Sequence, residues 1–170
     1  MARRRLLAAA GGAIVVMRAG GGHATDALSD SRFVGFAQTV NDFEIASGRL
    51  ALARSSSANI RGFANRTIGD YGNAAEQLGK ARAEAGVSFA PDPSQPPNTA
   101  AILQQLGALH GADFDAAYAH AQLTVHDEAA RQYGAYAQSG QGGPLRRYAE
   151  RVFPMVRDNF DRARLLAGGR

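Results

Sequence analysis

The chain has 170 residues, no cysteine, and 19 Lys plus Arg against 15 Asp plus Glu, for a formal net charge of +4. The lack of cysteine excludes disulfide bonds and a lipid-modified cysteine anchor. Four arginines and no acid lie in residues 1–24, so the rest of the chain is balanced at 15 to 15. This balance, with the basic residues scattered among acids, does not indicate a nucleic-acid partner.

The N-terminal segment has the order of a secretory leader. Residues 3–5 are arginines, residues 6–17 form an uncharged, mainly apolar run, and Gly22-His23-Ala24 offers a small-x-small cleavage site. The apolar run is too short for a membrane span of roughly 20 residues. We expect residues 1–24 to be a signal peptide and residues 25–170 to form one exported, periplasmic domain. If the leader is not cleaved, it anchors the protein to the membrane instead.

Two long helices are predicted directly after the leader. Small and apolar residues recur at three- and four-residue spacing over residues 30–54 and again over residues 57–85. Ser56 or Ser57 can cap the second helix, and Gly86 can end it. The core face of the second helix is rich in alanine, which allows a close approach between helices.

The C-terminal half predicts two further long helices. They cover residues 113–138 and residues 144–166, and the last one begins near Pro144 and contains Pro154, which we expect to kink or loosen it. Four tyrosines lie on these helices, and we expect them at the edge of the core with their hydroxyls in water, or as an aromatic patch for a sugar or protein partner. They are Tyr118, Tyr133, Tyr136 and Tyr148.

The connections between the predicted helices are unequal in length. Only a few residues join the first helix to the second and the third to the fourth, so each pair should form an antiparallel hairpin. Residues 86–112 form a longer link with a proline-rich stretch and a predicted short helix at residues 98–110. Two hairpins with one long crossover define an all-α, ferritin-like four-helix bundle.

Several residue runs carry a resemblance to a known family. They are Glu44 to Ala51 (EIASGRLA), Ile60 to Ala64 (IRGFA), and Leu106 to Tyr118 (LGALHGADFDAAY), with His126 and Phe153-Pro154. Over about residues 33–166 the chain resembles the DUF4142 domain family of exported bacterial proteins. The resemblance implies a periplasmic, ferritin-like helical bundle of unestablished activity.

The polar residues of that family pattern are only partly present. The resemblance implies histidines at two positions that hold Tyr71, after Asp70, and Asn159 in this chain, whereas Glu44 and His126 keep a carboxylate and an imidazole. A buried imidazole or carboxylate needs a partner. We therefore expect Glu44, Tyr71, His126 and Asn159 to form an interhelical polar contact.

The ligand pattern of a dinuclear metal centre is missing from the sequence. Such a centre in a ferritin-like bundle needs about four carboxylates and two histidines, with Glu-x-x-His motifs. None of the five glutamates has a histidine three residues later. We predict no catalytic residue and no cofactor, and we keep a single metal ion at Glu44 and His126 as the alternative.

These observations favour a non-enzymatic role. We interpret the chain as a binding or envelope-associated module whose partner is an envelope protein or a small molecule. The alternative is a metal-binding or oxidative-stress protein with a degenerate site around Glu44 and His126, completed by Asp70, Tyr71 or Asn159. The oligomeric state stays open, because alanine-rich faces pack equally well within one bundle and between two.

Overall fold

A computed structural model describes residues 28–88 and 97–168. These residues form five helices and no strand: α1 (Asp30–Arg54), α2 (Ala58–Ala85), α3 (Thr99–Gly107), α4 (Gly111–Ser139) and α5 (Gly143–Ala167). The predicted all-α class and all five predicted helices are confirmed. The predicted leader and the proline-rich part of the link lie outside the described residues.

The ends of α2 follow from local sequence chemistry. The Ser57 hydroxyl accepts a hydrogen bond from the Ile60 backbone N–H at 3.4 Å and so caps the first turn. At the other end Gly86 adopts a left-handed φ of 66°, and Val87 N–H donates to the Arg82 carbonyl at 3.2 Å. This Schellman motif satisfies carbonyls that the helix leaves open, and glycine adopts its backbone angle without strain.

The last helix passes through its internal proline. Pro154 lies inside α5, which continues from Gly143 to Ala167. Proline removes the backbone N–H that would bond to the carbonyl of Glu150. One missing hydrogen bond is tolerated because Val152 and Val156, on either side of the proline, are both buried in the core.

The four long helices enclose one core. α1 packs against α2 and α4, and α5 packs against the same two helices. The short α3 lies against α1 and α4. The α1–α2 contact is especially close at Gly48, where an added β-carbon would lie 2.8 Å from a side-chain carbon of Ile68 and 3.2 Å from the Ala64 carbonyl oxygen. A glycine therefore allows α2 to approach α1 one turn from Glu44.

The expected position of the tyrosines was wrong. Tyr118, Tyr133, Tyr136 and Tyr148 are all fully buried, so they neither hold their hydroxyls in water nor form an exposed aromatic patch. Three of them form what we call the aromatic end together with Phe33, whose ring stacks on Tyr136 with centroids 3.8 Å apart. There the Tyr133 and Tyr148 hydroxyls are hydrogen-bonded at 3.0 Å, and the Tyr136 hydroxyl donates to Asp30. For these three tyrosines, partners on neighbouring helices make the burial of the hydroxyl possible.

Candidate functional site

A carboxylate and an imidazole meet in the middle of the core. Glu44 lies on α1 and His126 lies on α4, and both side chains are 0% exposed. Glu44 Oε1 is 3.5 Å from His126 Nδ1. Glu44 and His126, which the sequence indicates as candidate site residues, are therefore neighbours across the interface between α1 and α4.

Two further polar side chains complete this group. In the orientation that satisfies both ends of its amide, Gln122 donates from Nε2 to Glu44 Oε2 at 2.7 Å and to Oε1 at 3.2 Å. Its Oε1 then accepts from the Ser47 hydroxyl at 2.9 Å. Gln122 lies one turn before His126 and Ser47 one turn after Glu44, so each helix contributes two side chains from one face. We call Glu44, Ser47, Gln122 and His126 the buried polar cluster.

The hydrogen bonds of His126 define its neutral form. Nδ1 is 2.9 Å from the backbone carbonyl of Gln122, which can only accept, so Nδ1 carries the hydrogen. Nε2 is then left with a lone pair, and it has no hydrogen-bond partner among the described residues. Burial lowers the pKa of His126 to about 4, and the bond to Gln122 only partly opposes this shift.

Burial shifts the pKa of Glu44 in the opposite direction to that of His126. Removal from water raises the pKa of Glu44 well above its usual value, and the hydrogen bond from Gln122 opposes that rise. Burial therefore favours the uncharged form of both partners. The contact is better described as a neutral, hydrogen-bonded cluster than as an ion pair.

The other two residues of the predicted contact lie differently. The Tyr71 ring meets the His126 ring edge-on, with centroids 5.6 Å apart, but its buried hydroxyl has no partner in the described part of the chain. Asn159 is buried and donates to Asp70 Oδ2 at 3.0 Å, with Met155 Sδ at 3.1 Å. Asn159 thus joins α5 to α2, and it forms no hydrogen bond with Glu44 or His126 among the described residues.

Sequence reasoning missed Gln122 and Ser47 as members of the site. A signal was available, because Gln122 lies four residues before His126 and Ser47 three residues after Glu44. Such spacing places polar side chains together on one helix face.

The chemistry open to the buried polar cluster is limited. Within residues 28–88 and 97–168, no three His, Cys, Asp or Glu side chains are grouped so that they could hold a metal ion. His126 Nε2 is a single free ligand atom. The side chains of all four cluster residues are closed to solvent, so a substrate has no direct access to them.

A different kind of site lies on the surface, where α2 begins and α5 ends. A cleft of about 910 Å³ opens there between α2, α4 and α5, and we call it the end cleft. Its walls include the buried apolar side chains Ile60 and Phe63 and the charged side chains Arg66 and Arg162. Leu165, also on its wall, is 66% exposed, and it is the one large exposed hydrophobic side chain of the described residues.

A second groove of about 680 Å³ runs between α4 and α5. Several of its charged side chains neutralise each other, because the Arg131 guanidinium donates hydrogen bonds to the carboxylates of Asp127 and Glu128 on the same helix. The remaining guanidinium, Arg164, lies over the Phe160 ring at 5.8 Å. This groove therefore offers a ligand fewer unused polar groups than the end cleft.

These observations define an all-α protein that has a closed polar cluster in its core and an open cleft on its surface. The chain belongs to the family described as "Domain of unknown function (DUF4142)", whose model matches residues 17–166. The family resemblance seen in the sequence is thereby confirmed. No curated protein and no solved structure matches the chain. None of the described helices has the length and apolar character needed to cross a membrane.

Proposed function

We propose that this protein is an exported, ferritin-like four-helix bundle that acts as a non-catalytic binding or envelope-associated module. The packing of the four long helices supports the bundle arrangement. The connections also support it, because three residues join α1 to α2 and three join α4 to α5, while the much longer join carries α3. Cleavage after residue 24 would place the bundle in the periplasm, and retention of the leader would tether it to the membrane.

The observation that carries the binding role is the contrast between the closed core and the open end cleft. The Glu44 and His126 side chains are 0% exposed, whereas the end cleft offers apolar and charged groups to solvent. Ligand sites combine an apolar wall with a few polar groups in this way. The partner is a small molecule or an envelope protein and not a nucleic acid.

Native mass spectrometry of the full chain, purified without an affinity tag from the native cell envelope, tests the binding role. We expect a bound molecule on the wild type and its loss in Leu165→Glu, which places a charge on the wall of the end cleft. Gln104→Glu adds the same charge at an exposed position of α3 and should keep the bound molecule. A wild type free of any bound molecule or partner, or equal retention in both variants, contradicts binding at the end cleft.

A second candidate is a single-metal protein, and one observation favours it. His126 Nε2 is a buried lone pair without a partner among the described residues, and such atoms often face a water or an ion. Of the residues named as completing such a site, Tyr71 lies against the His126 ring. Glu44 lies on the Nδ1 side of that ring, and Asp70 and Asn159 are hydrogen-bonded to each other. Metal analysis of the wild type, Glu44→Gln and His126→Gln tests this role, with exposed His120→Gln as the control. Stoichiometric metal that is lost in the first two variants and kept in the control would establish it.

A further inference from the structure

One aromatic side chain connects the end cleft with the buried polar cluster. Phe63 lines the cleft and is 8% exposed. The same ring meets the His126 ring edge-on, with centroids 5.8 Å apart. At this point a single aromatic ring therefore lies between the surface cleft and the imidazole of the cluster.

A second aromatic ring of α2 contacts His126, but it does not border the cleft. Tyr71 lies eight residues after Phe63 in the sequence and also meets the imidazole edge-on, with centroids 5.6 Å apart. Tyr71 is fully buried, and it is not one of the described residues that line the end cleft. Of these two rings, that of Phe63 is the one that borders solvent.

The imidazole that Phe63 covers carries a free lone pair. His126 Nδ1 is 2.9 Å from the Gln122 carbonyl and holds the hydrogen of the neutral ring, so the lone pair is on Nε2. Nε2 is buried and has no hydrogen-bond partner among the described residues. Movement of the Phe63 ring would therefore give a small molecule from the cleft access to a hydrogen-bond acceptor in the core.

The end cleft has room for the Phe63 ring to turn outwards. Its volume is about 910 Å³, and the neighbouring Gly62, which also lines it, has no atom within 4 Å of the place where a β-carbon would lie. A change of side-chain rotamer needs no movement of the helix backbone. Because the outward ring loses the free energy gained by burial, the outward rotamer should be a minor state, on the order of 1% of the molecules.

We propose that Phe63 is a gate between the end cleft and the buried polar cluster. In the closed state its ring covers His126. In the open state the ring has turned into the cleft, and His126 Nε2 is reached from there. The bundle stays folded in both states. The gate depends on the shape of the cleft and holds whichever molecule the cleft binds.

Acylation of the full chain by diethyl pyrocarbonate measures access to His126, with tandem mass spectrometry that assigns each histidine separately. The reagent reacts with an unprotonated imidazole nitrogen, and a pKa of about 4 keeps His126 in that form at pH 7. The exposed His110 and His120 report the full activity of the reagent. We expect His126 to react roughly a hundredfold more slowly than these two, as an open state of about 1% requires. Equal rates for all three histidines would show that Phe63 does not close the cluster.

Two alanine variants of α2 distinguish a gate from a general loosening of the core. Phe63→Ala removes the ring that borders the cleft and should speed the acylation of His126 by about 10- to 100-fold. Tyr71→Ala removes the other ring from His126 and leaves Phe63 in place, so His126 should stay slow. Equal acceleration in both variants, or none in Phe63→Ala, would contradict the gate.

The wild type gives a second test that needs no variant to fold. Turning one ring exposes little surface, so the acylation rate of His126 should stay nearly constant in urea concentrations well below the unfolding midpoint. If His126 is reached only in the unfolded chain, the rate should rise with urea in parallel with the equilibrium constant of unfolding. That result would overturn the proposal.

Discussion

The aromatic end and the buried polar cluster lie in the same core, but they differ in how many of their buried polar atoms are hydrogen-bonded. At the aromatic end, Tyr133 and Tyr148 share a 3.0 Å hydrogen bond and Tyr136 donates to Asp30. Around the buried polar cluster, the Tyr71 hydroxyl and His126 Nε2 have no hydrogen-bond partner among the described residues. The three tyrosine hydroxyls of the first region are therefore paired, whereas the second region contains unpaired buried polar groups that cost free energy.

The difference suggests separate roles for the two regions. Well-packed aromatic rings with paired hydroxyls stabilise the fold. Partly satisfied polar groups in a core contribute less stability and more dependence on conditions such as pH. We expect mutations at the aromatic end to change the free energy of unfolding at every pH, and mutations in the buried polar cluster to change mainly its pH dependence.

The largest expected effect is at the aromatic end. Phe33 is fully buried and stacks on Tyr136. Phe33→Ala should lower the free energy of unfolding by roughly 3 to 5 kcal/mol, because it removes a buried ring and leaves a cavity. Urea denaturation measures this directly, and a loss below about 1 kcal/mol would show that the aromatic end is not a stability centre.

The next effect is the pH dependence caused by Glu44. The pKa of Glu44 is higher in the folded protein than in the unfolded chain. The free energy of unfolding therefore falls as the pH rises from the unfolded pKa to the folded pKa. Within that range the loss is at most about 1.4 kcal/mol per pH unit. Glu44→Gln removes the titration, so its stability relative to wild type should rise as the pH increases above the unfolded pKa. Urea midpoints at several pH values measure it, and a constant difference would contradict a raised pKa.

The ionisation of His126 should change the free energy of unfolding in the opposite direction, at acidic pH. Its folded pKa of about 4 is below the unfolded value of roughly 6.5, so stability falls as pH drops from 6.5 towards 4. His126→Gln should flatten this part of the stability curve. His120→Gln, which changes an exposed histidine on the same helix, should leave the curve as in wild type. If both variants give the same acid profile, His126 does not control the acid response.

The smallest effects compare two tyrosine hydroxyls. Tyr148→Phe removes a hydroxyl that is bonded to Tyr133 and should cost roughly 1 to 2 kcal/mol, because its partner stays buried. Tyr71→Phe removes a hydroxyl without a partner among the described residues and should be neutral or slightly stabilising. Thermal unfolding of both variants gives the comparison. A cost above about 1.5 kcal/mol for Tyr71→Phe would mean that the hydroxyl is bonded to a water or an ion, and would favour the single-metal candidate.

The helices could be predicted from the sequence because their signals are local. The recurrence of small and apolar residues gave α1 its correct bounds, and Gly86 marked the end of α2. Helix ends depend on backbone angles and on neighbours within one turn, which a sequence displays directly.

The contacts of the core depend on how the helices are rotated against each other, and the sequence does not display this. Tyr136 was expected near water because tyrosine is amphipathic, but Asp30 on α1 supplies its partner inside the protein. Asn159 was expected beside His126, but the rotation of α5 brings it to Asp70. Residue type and spacing on one helix could not decide either pairing, because the partner lies on another helix.

Native mass spectrometry of the untagged full chain from the native envelope, prepared without chelator, reads metal and organic ligands in one spectrum. We predict metal-free protein carrying a small molecule that is lost in Leu165→Glu and kept in Gln104→Glu. Stoichiometric metal that disappears in Glu44→Gln and His126→Gln, without any molecule dependent on Leu165, would contradict a binding role for the end cleft and assign the function to the buried polar cluster.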